Sequence, residues 1–180
     1  DTLEYAHSRG VVHRDVKPSN IMVGQFGEVY MMDWGLARIL ADKEDEPIHD
    51  ILSDTLPSSI PGSTVITRDG AIVGTPSYMS PEQANPEGDE IGAWTDVYAI
   101  GAILYEILSG RPPYRTGDTP LPGHKVLQLL KKGPPRDIKE MSSNVPNDLA
   151  EICRAAMSRD VTQRPKSGGD VSNMIRQVLK

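Results

Sequence analysis

Six of the eight residues from His13 to Asn20, read His13-Arg14-Asp15-Val16-Lys17-Pro18-Ser19-Asn20, are polar or charged, and they lie between the apolar runs Val11-Val12 and Ile21-Met22-Val23. Pro18 stiffens this stretch, which reads as a loop pinned at both ends. Ile21-Met22-Val23 and Val29-Tyr30-Met31-Met32 are β-rich and flank Gly24-Gln25-Phe26-Gly27-Glu28, the signature of a hairpin. Such a hairpin returns Asp33 beside the polar loop, at a strand end where a side chain reaches a cleft. Gly35 then lets the chain turn away.

Elsewhere the pattern is mostly helical. Leu3, Ala6 and His7 read as the last turns of a helix closed by Arg9-Gly10. Residues 36 to 74 read as one long loop with a small hairpin, Val65-Ile66-Thr67 and Ala71-Ile72-Val73, inside it. Thr95 to Leu108 is the most apolar segment and predicts a buried central helix, stopped by Ser109-Gly110 and Arg111-Pro112-Pro113. Further helices are expected at Gly123 to Lys132, at Pro146 to Ser158 with proline in the first turn, and at Asp170 to Leu179. The fold class is mainly α with a small β-hairpin, in one domain of 180 residues.

Composition excludes several functions. A net charge of −6 argues against a nucleic-acid binder. Cys153 is the single cysteine, so no internal disulfide forms; its spacing from Leu149, Ile152 and Met157 marks a core thiol. The longest apolar stretch, Val97 to Leu108, contains Glu106 and is too short to cross a bilayer. His49 and His124 lack neighbours at metal-ligand spacing; the acidic run Asp42 to Glu46 and Lys131-Lys132 read as solvated. There is no signal peptide and no initiating Met, and Asp1 enters directly into helical periodicity, so a truncated chain is expected.

The polar residues have the chemistry that phosphoryl transfer asks for, which is positioning and charge neutralisation. Asp15 is the candidate to orient a hydroxyl and accept its proton. Lys17 is the candidate cation for the moving phosphoryl, and Asn20 and Asp33 offer oxygen ligands for magnesium.

Taken together these residues resemble the motif set of protein kinases. Residues 13–20 resemble the catalytic loop, and Asp33-Trp34-Gly35 (33–35) the metal-binding tripeptide that usually carries phenylalanine in the middle. Gly74-Thr75-Pro76-Ser77-Tyr78-Met79-Ser80-Pro81-Glu82 looks like the end of an activation segment spanning 33–82. Asp96-Val97-Tyr98-Ala99-Ile100-Gly101 resembles the start of the central helix of a helical subdomain, 94–180, and Arg164-Pro165 the arginine before the last helix. The style is most like bacterial Ser/Thr kinases of the eukaryotic-like type.

The resemblance implies a C-terminal lobe whose N-terminal lobe is missing, expected to bind ATP poorly alone and to expose apolar surface. ATP and Mg2+, with Mn2+ as an alternative, are the implied cofactors. Protein substrates and the N-terminal lobe of the full-length protein are the implied partners. No nucleic acid and no membrane contact are expected within this segment. The implied localisation is cytoplasmic, with a downstream anchor left open.

Thr75 is implied to hydrogen-bond near Asp15 and Lys17, and Met22 to lie beneath the adenine. Glu82 and Arg164 are implied to form a buried ion pair, and Asp96 to accept from the backbone near His13 and Arg14. Trp34 is expected to pack toward the missing lobe. Arg14 suggests a phosphorylation switch with candidates Ser53, Thr55, Ser58, Ser59, Ser63, Thr64 and Thr67. Two other readings are a non-catalytic pseudokinase scaffold and a small-molecule kinase of the aminoglycoside phosphotransferase type. Arg14, Lys17 and residues 74–82 tell against the latter.

Overall fold

Helix α2 (Ala93–Ser109) runs through the middle of the domain with apolar side chains buried on several sides, as a helix enclosed by its neighbours requires. The computed structural model describes residues 2–40, 65–66, 72–73, 76–85, 91–115, 117 and 119–180. Thr75, all the candidate phosphorylation sites, His49 and the acidic run 42–46 lie outside the described residues.

In chain order the other elements are α1 (Thr2–Ser8), β1 (Val11–Val12), β2 (Ile21–Val23), β3 (Val29–Met31), β4 (Arg38–Ile39), β5 (Val65–Ile66) and β6 (Ile72–Val73). After α2 come α3 (Gly123–Lys132), α4 (Ile138–Met141), α5 (Asn147–Ala156) and α6 (Gly168–Val178). Among the described residues the strands pair only as antiparallel couples: β1 with β4, β2 with β3, β5 with β6. The domain is therefore mainly α with small β ribbons.

Three apolar clusters meet on α2. Tyr98, Ala102 and Tyr105 pack with Val126, Leu127 and Leu130 of α3, Ile138 of α4 and Cys153 of α5. Val97 packs with Ile152, Ala156 and Val171. Ala99 packs with Leu3 of α1 and with Val16, so one residue of the polar loop is itself a core residue. Cys153 is buried, and burial pushes its thiol up to about 12, which suits packing and not nucleophilic chemistry.

The central helix ends where the sequence predicts. Gly110 adopts φ 74°, open to glycine without steric cost, and its N–H closes on the Glu106 carbonyl at 2.7 Å. Gly10 likewise turns the chain out of α1 at φ 69°. Gly101 serves close packing. A Cβ there would meet the Ala156 Cβ and the Met157 Cγ, each at 2.8 Å, closer than such contacts allow. Gly101→Ala should lower stability by about 1–3 kcal/mol through overpacking, read from the urea midpoint at unchanged slope.

Several boundaries differ from expectation. Pro146 precedes α5 with extended backbone instead of lying in its first turn, and its carbonyl accepts from Ala150 N–H at 3.0 Å. A ring nitrogen without hydrogen is harmless there. The last helix starts at Gly168, two residues early, because Ser167 caps it by accepting from Asp170 N–H. Residues 36–40 are not all loop, since Arg38 and Ile39 pair with Val12 and Val11.

Helix α4 was not expected. Asp137 caps it, accepting from Lys139 N–H at 2.9 Å, and also holds Arg154 through Nε at 2.6 Å and Nη2 at 3.0 Å. The Arg154 bond and then the backbone bond pull the Asp137 carboxyl down to about 2. Because the folded value is depressed, the stabilisation is present above the ordinary carboxylate value and is lost as pH falls toward 2. An NMR titration of Asp137 should show this midpoint, and Arg154→Ala should move it back up.

Candidate active site

The polar loop closes on itself around Asp15. Lys17 Nζ lies 2.7 Å from Asp15 Oδ2. Asn20 Nδ2 donates to the same oxygen at 3.0 Å and to the Asp15 carbonyl at 2.8 Å. A 3-10 turn over Pro18–Asn20 brings Asn20 back, with Pro18 in its first position, where no N–H is needed. Oδ1 of Asp15 has no hydrogen-bond partner among the described residues. Asp15 and Asn20 are buried, while Val12 and Val16 anchor the loop in the core.

The loop's shape is imposed from α2. Asp96, buried to 1% exposure, accepts the His13 N–H through Oδ2 and the Arg14 N–H through Oδ1, both at 2.8 Å. These two bonds hold Arg14 at φ 69°, a conformation costing a non-glycine residue on the order of 1–3 kcal/mol. Partial burial and then the Arg38 guanidinium lower the Arg14 pKa from the usual arginine value.

A third donor to Asp96 was missed from sequence. His7 Nε2 lies 2.9 Å from Asp96 Oδ2, so Nε2 carries the hydrogen. His7 falls on the buried face of α1, one turn after Leu3, a spacing that carried the signal. His13 is wholly buried. Its Nδ1 accepts from Asp15 N–H at 3.2 Å, which leaves the hydrogen on Nε2, 3.0 Å from the Met32 carbonyl.

That last bond fixes the hairpin against the loop. Ile21 pairs with Met31 and Met22 with Tyr30, and Met32 N–H donates to the Asn20 carbonyl at 2.8 Å. Asp33 follows immediately, at φ 59°, where aspartate is more at ease than most residues. Its Oδ1 accepts weakly from Gly35 N–H at 3.4 Å.

Trp34 stays partly exposed, at 36%. Its ring packs at 4.6 Å on His13 and its N–H donates to the Met31 carbonyl at 3.0 Å, because an indole N–H seeks an acceptor and the end of β3 offers one. Met22 lies on the opposite face of the hairpin from Met31 and is 49% exposed, beside exposed Tyr30.

Among the described residues no three His, Cys, Asp or Glu side chains cluster as a metal site. Magnesium asks for less from protein, often one or two oxygen ligands beside phosphate and water. Asn20 spends its amide N–H groups on Asp15, leaving its amide oxygen as the ligand end, and the Asp33 carboxylate is the second hard donor. The donor set fits that ion.

The segment before α2 is tied to the same frame. Arg164 Nη1 and Nη2 grip Glu82 Oε1 and Oε2 at 2.7 and 2.9 Å, both side chains almost fully buried. Arg164 also donates to the Ser158 and Trp94 carbonyls. Tyr78 donates to Glu106 Oε2 at 2.6 Å, and burial followed by that carboxylate raises its phenol well above the usual range.

A mainly helical domain carrying a hairpin-braced polar centre in this order has the protein-kinase-like fold. Residues 1–179 match the protein kinase domain family, and the chain belongs to it. It is 39% identical over 181 residues to the serine/threonine-protein kinase PknD of Chlamydia caviae, covering 99% of this chain and 18% of that protein. It is 42% identical over 175 residues to the serine/threonine-protein kinase PknB of Mycobacterium leprae, covering 97% and 24%. It is 34% identical over 180 residues to PknD of Protochlamydia amoebophila, covering 97% and 17%. The chain thus spans about a fifth of the length of these curated relatives.

Proposed function

We propose that this chain carries the phosphotransfer centre of a Ser/Thr protein kinase, which moves the γ-phosphoryl of ATP to Ser or Thr hydroxyls of protein substrates. The observation that carries the reading is the state of Asp15. One oxygen is held by Lys17 and Asn20, while the other has no partner among the described residues. A carboxylate oriented in this way can accept a hydrogen bond from an incoming hydroxyl and take its proton.

Lys17 supplies positive charge beside that hydroxyl, and Thr75 is assigned to the same pocket. Mg2+ with ATP, when bound, supplies the transferable phosphoryl group and offsets its charge. Asn20 and Asp33 would hold the metal, and Met22 would face the adenine. Arg14 beside Arg38 would receive an anionic group on the activation segment, 33–82. The names of the relatives support Ser/Thr over other acceptors. Among the described residues no helix is long and apolar enough to cross a membrane.

The test is transfer of label from γ-labelled ATP with Mg2+ to a generic protein substrate by the full-length protein. Phosphoserine and phosphothreonine are expected in the substrate, and label between residues 53 and 67 in the kinase. Phosphotyrosine alone, or label on an aminoglycoside and not on protein, would overturn the reading.

A further inference from the structure

We infer that Gln83 is a positioning residue for Asp15, joining the end of the activation segment to the catalytic loop; this rests on the phosphotransfer reading. The peptide unit between Arg14 and Asp15 decides where the Asp15 carboxylate points, and its two polar ends are held from different directions. Its N–H, on Asp15, donates to His13 Nδ1 at 3.2 Å. Its carbonyl, on Arg14, accepts from Gln83 Nε2 at 2.7 Å, and no other donor reaches that oxygen among the described residues.

The preceding peptide is already fixed through Arg14 N–H on Asp96. The next one takes its orientation from the His13 and Gln83 bonds, and Arg14 at φ 69° lies where the backbone does not hold itself. The His13 contact is the longer of the two bonds on this unit, and the Gln83 bond is the restraint that comes from the activation segment.

The other end of the Gln83 amide is equally defined. Its Oε1 accepts from Ser80 N–H at 3.1 Å and from Ser80 Oγ at 3.2 Å, and Ser80 is fully buried. The neighbouring Glu82 is clamped by Arg164. Gln83 thus sits on a rigid base and reaches across 69 positions of sequence to one carbonyl. An amide is the group that can do this, because it must accept from Ser80 and donate to Arg14 at once. Within this geometry an ordered activation-segment end and a correctly aimed Asp15 depend on each other.

Two substitutions separate the parts. Gln83→Glu keeps the acceptor for Ser80 and loses the donor to Arg14, while Gln83→Met loses both without adding charge. In the full-length protein both should lower kcat about ten- to a hundredfold, the scale of a displaced catalytic group. The KM values for ATP and peptide should change less than about twofold, the mark of an interaction that matters in the transition state. The melting temperature should stay within about 2 °C.

Wild-type kcat in both variants overturns the proposal. So does a loss confined to Gln83→Glu, which would reflect the new charge alone. A melting temperature that falls in step with activity would reduce Gln83 to a structural residue. Hydrogen exchange at the Asp15 amide gives a readout independent of activity, expected about tenfold faster in Gln83→Met. If the wild type shows no Asp15-dependent transfer, the kinase reading fails, and unchanged exchange in Gln83→Met would separately reject the positioning role.

Discussion

Asp15→Asn should lower kcat by about 10²–10⁴-fold while leaving the domain folded and ATP affinity within about threefold. The carboxamide has nearly the same shape, and its oxygen can still accept from Lys17 Nζ and Asn20 Nδ2, which now meet Asp15 Oδ2 at 2.7 and 3.0 Å. What it lacks is basicity. A carboxamide cannot accept the hydroxyl proton, and its NH2 would point where Asp15 Oδ1 now stands open. The measurement is single-turnover phosphotransfer at saturating nucleotide, with circular dichroism and the melting temperature as folding controls. A variant retaining more than about a tenth of the wild-type rate would remove Asp15 from the chemistry.

Arg164→Met should destabilise the domain by about 3–5 kcal/mol, because it leaves Glu82 charged and buried without its partner. Among the described residues Glu82 would keep only the Thr95 hydroxyl, now 3.1 Å from its Oε1. The loss is not confined to charge. The guanidinium lies 5.0 Å from the Tyr98 ring centroid and donates to the carbonyls of Ser158 and Trp94, and these bonds would also be lost.

The double variant Glu82→Gln with Arg164→Met should be more stable than Arg164→Met alone by about 1 kcal/mol or more, since the stranded charge is gone. Urea unfolding of the three proteins decides this. Less than about 1 kcal/mol for Arg164→Met would show the pair to be replaceable by packing.

How far the sequence reached can be seen at individual residues. The hairpin carrying Asp33 was legible because alternating apolar residues and a glycine-bearing turn are local signals. The small β5–β6 ribbon was legible for the same reason, as were α3 at Gly123–Lys132 and the core of α2. The pairing of Val11 and Val12 with Ile39 and Arg38 was not, because two-residue strands have too little pattern to register. Helix α4 escaped likewise, being four residues long and stabilised by one cap and its packing.

The sequence alone determined the order of chemical groups, the elements long enough to show a period, and the membership of Asp15, Lys17 and Asn20 in one loop. Tertiary structure alone decided which further groups complete that loop: His7 on Asp96, 89 positions away, and Gln83 on the Arg14 carbonyl. Periodicity reports whether a side chain is buried, since burial follows from local geometry. A hydrogen-bond partner is chosen only when separate segments meet, so Arg14 could be held in a left-handed backbone that nothing in its own neighbourhood favours.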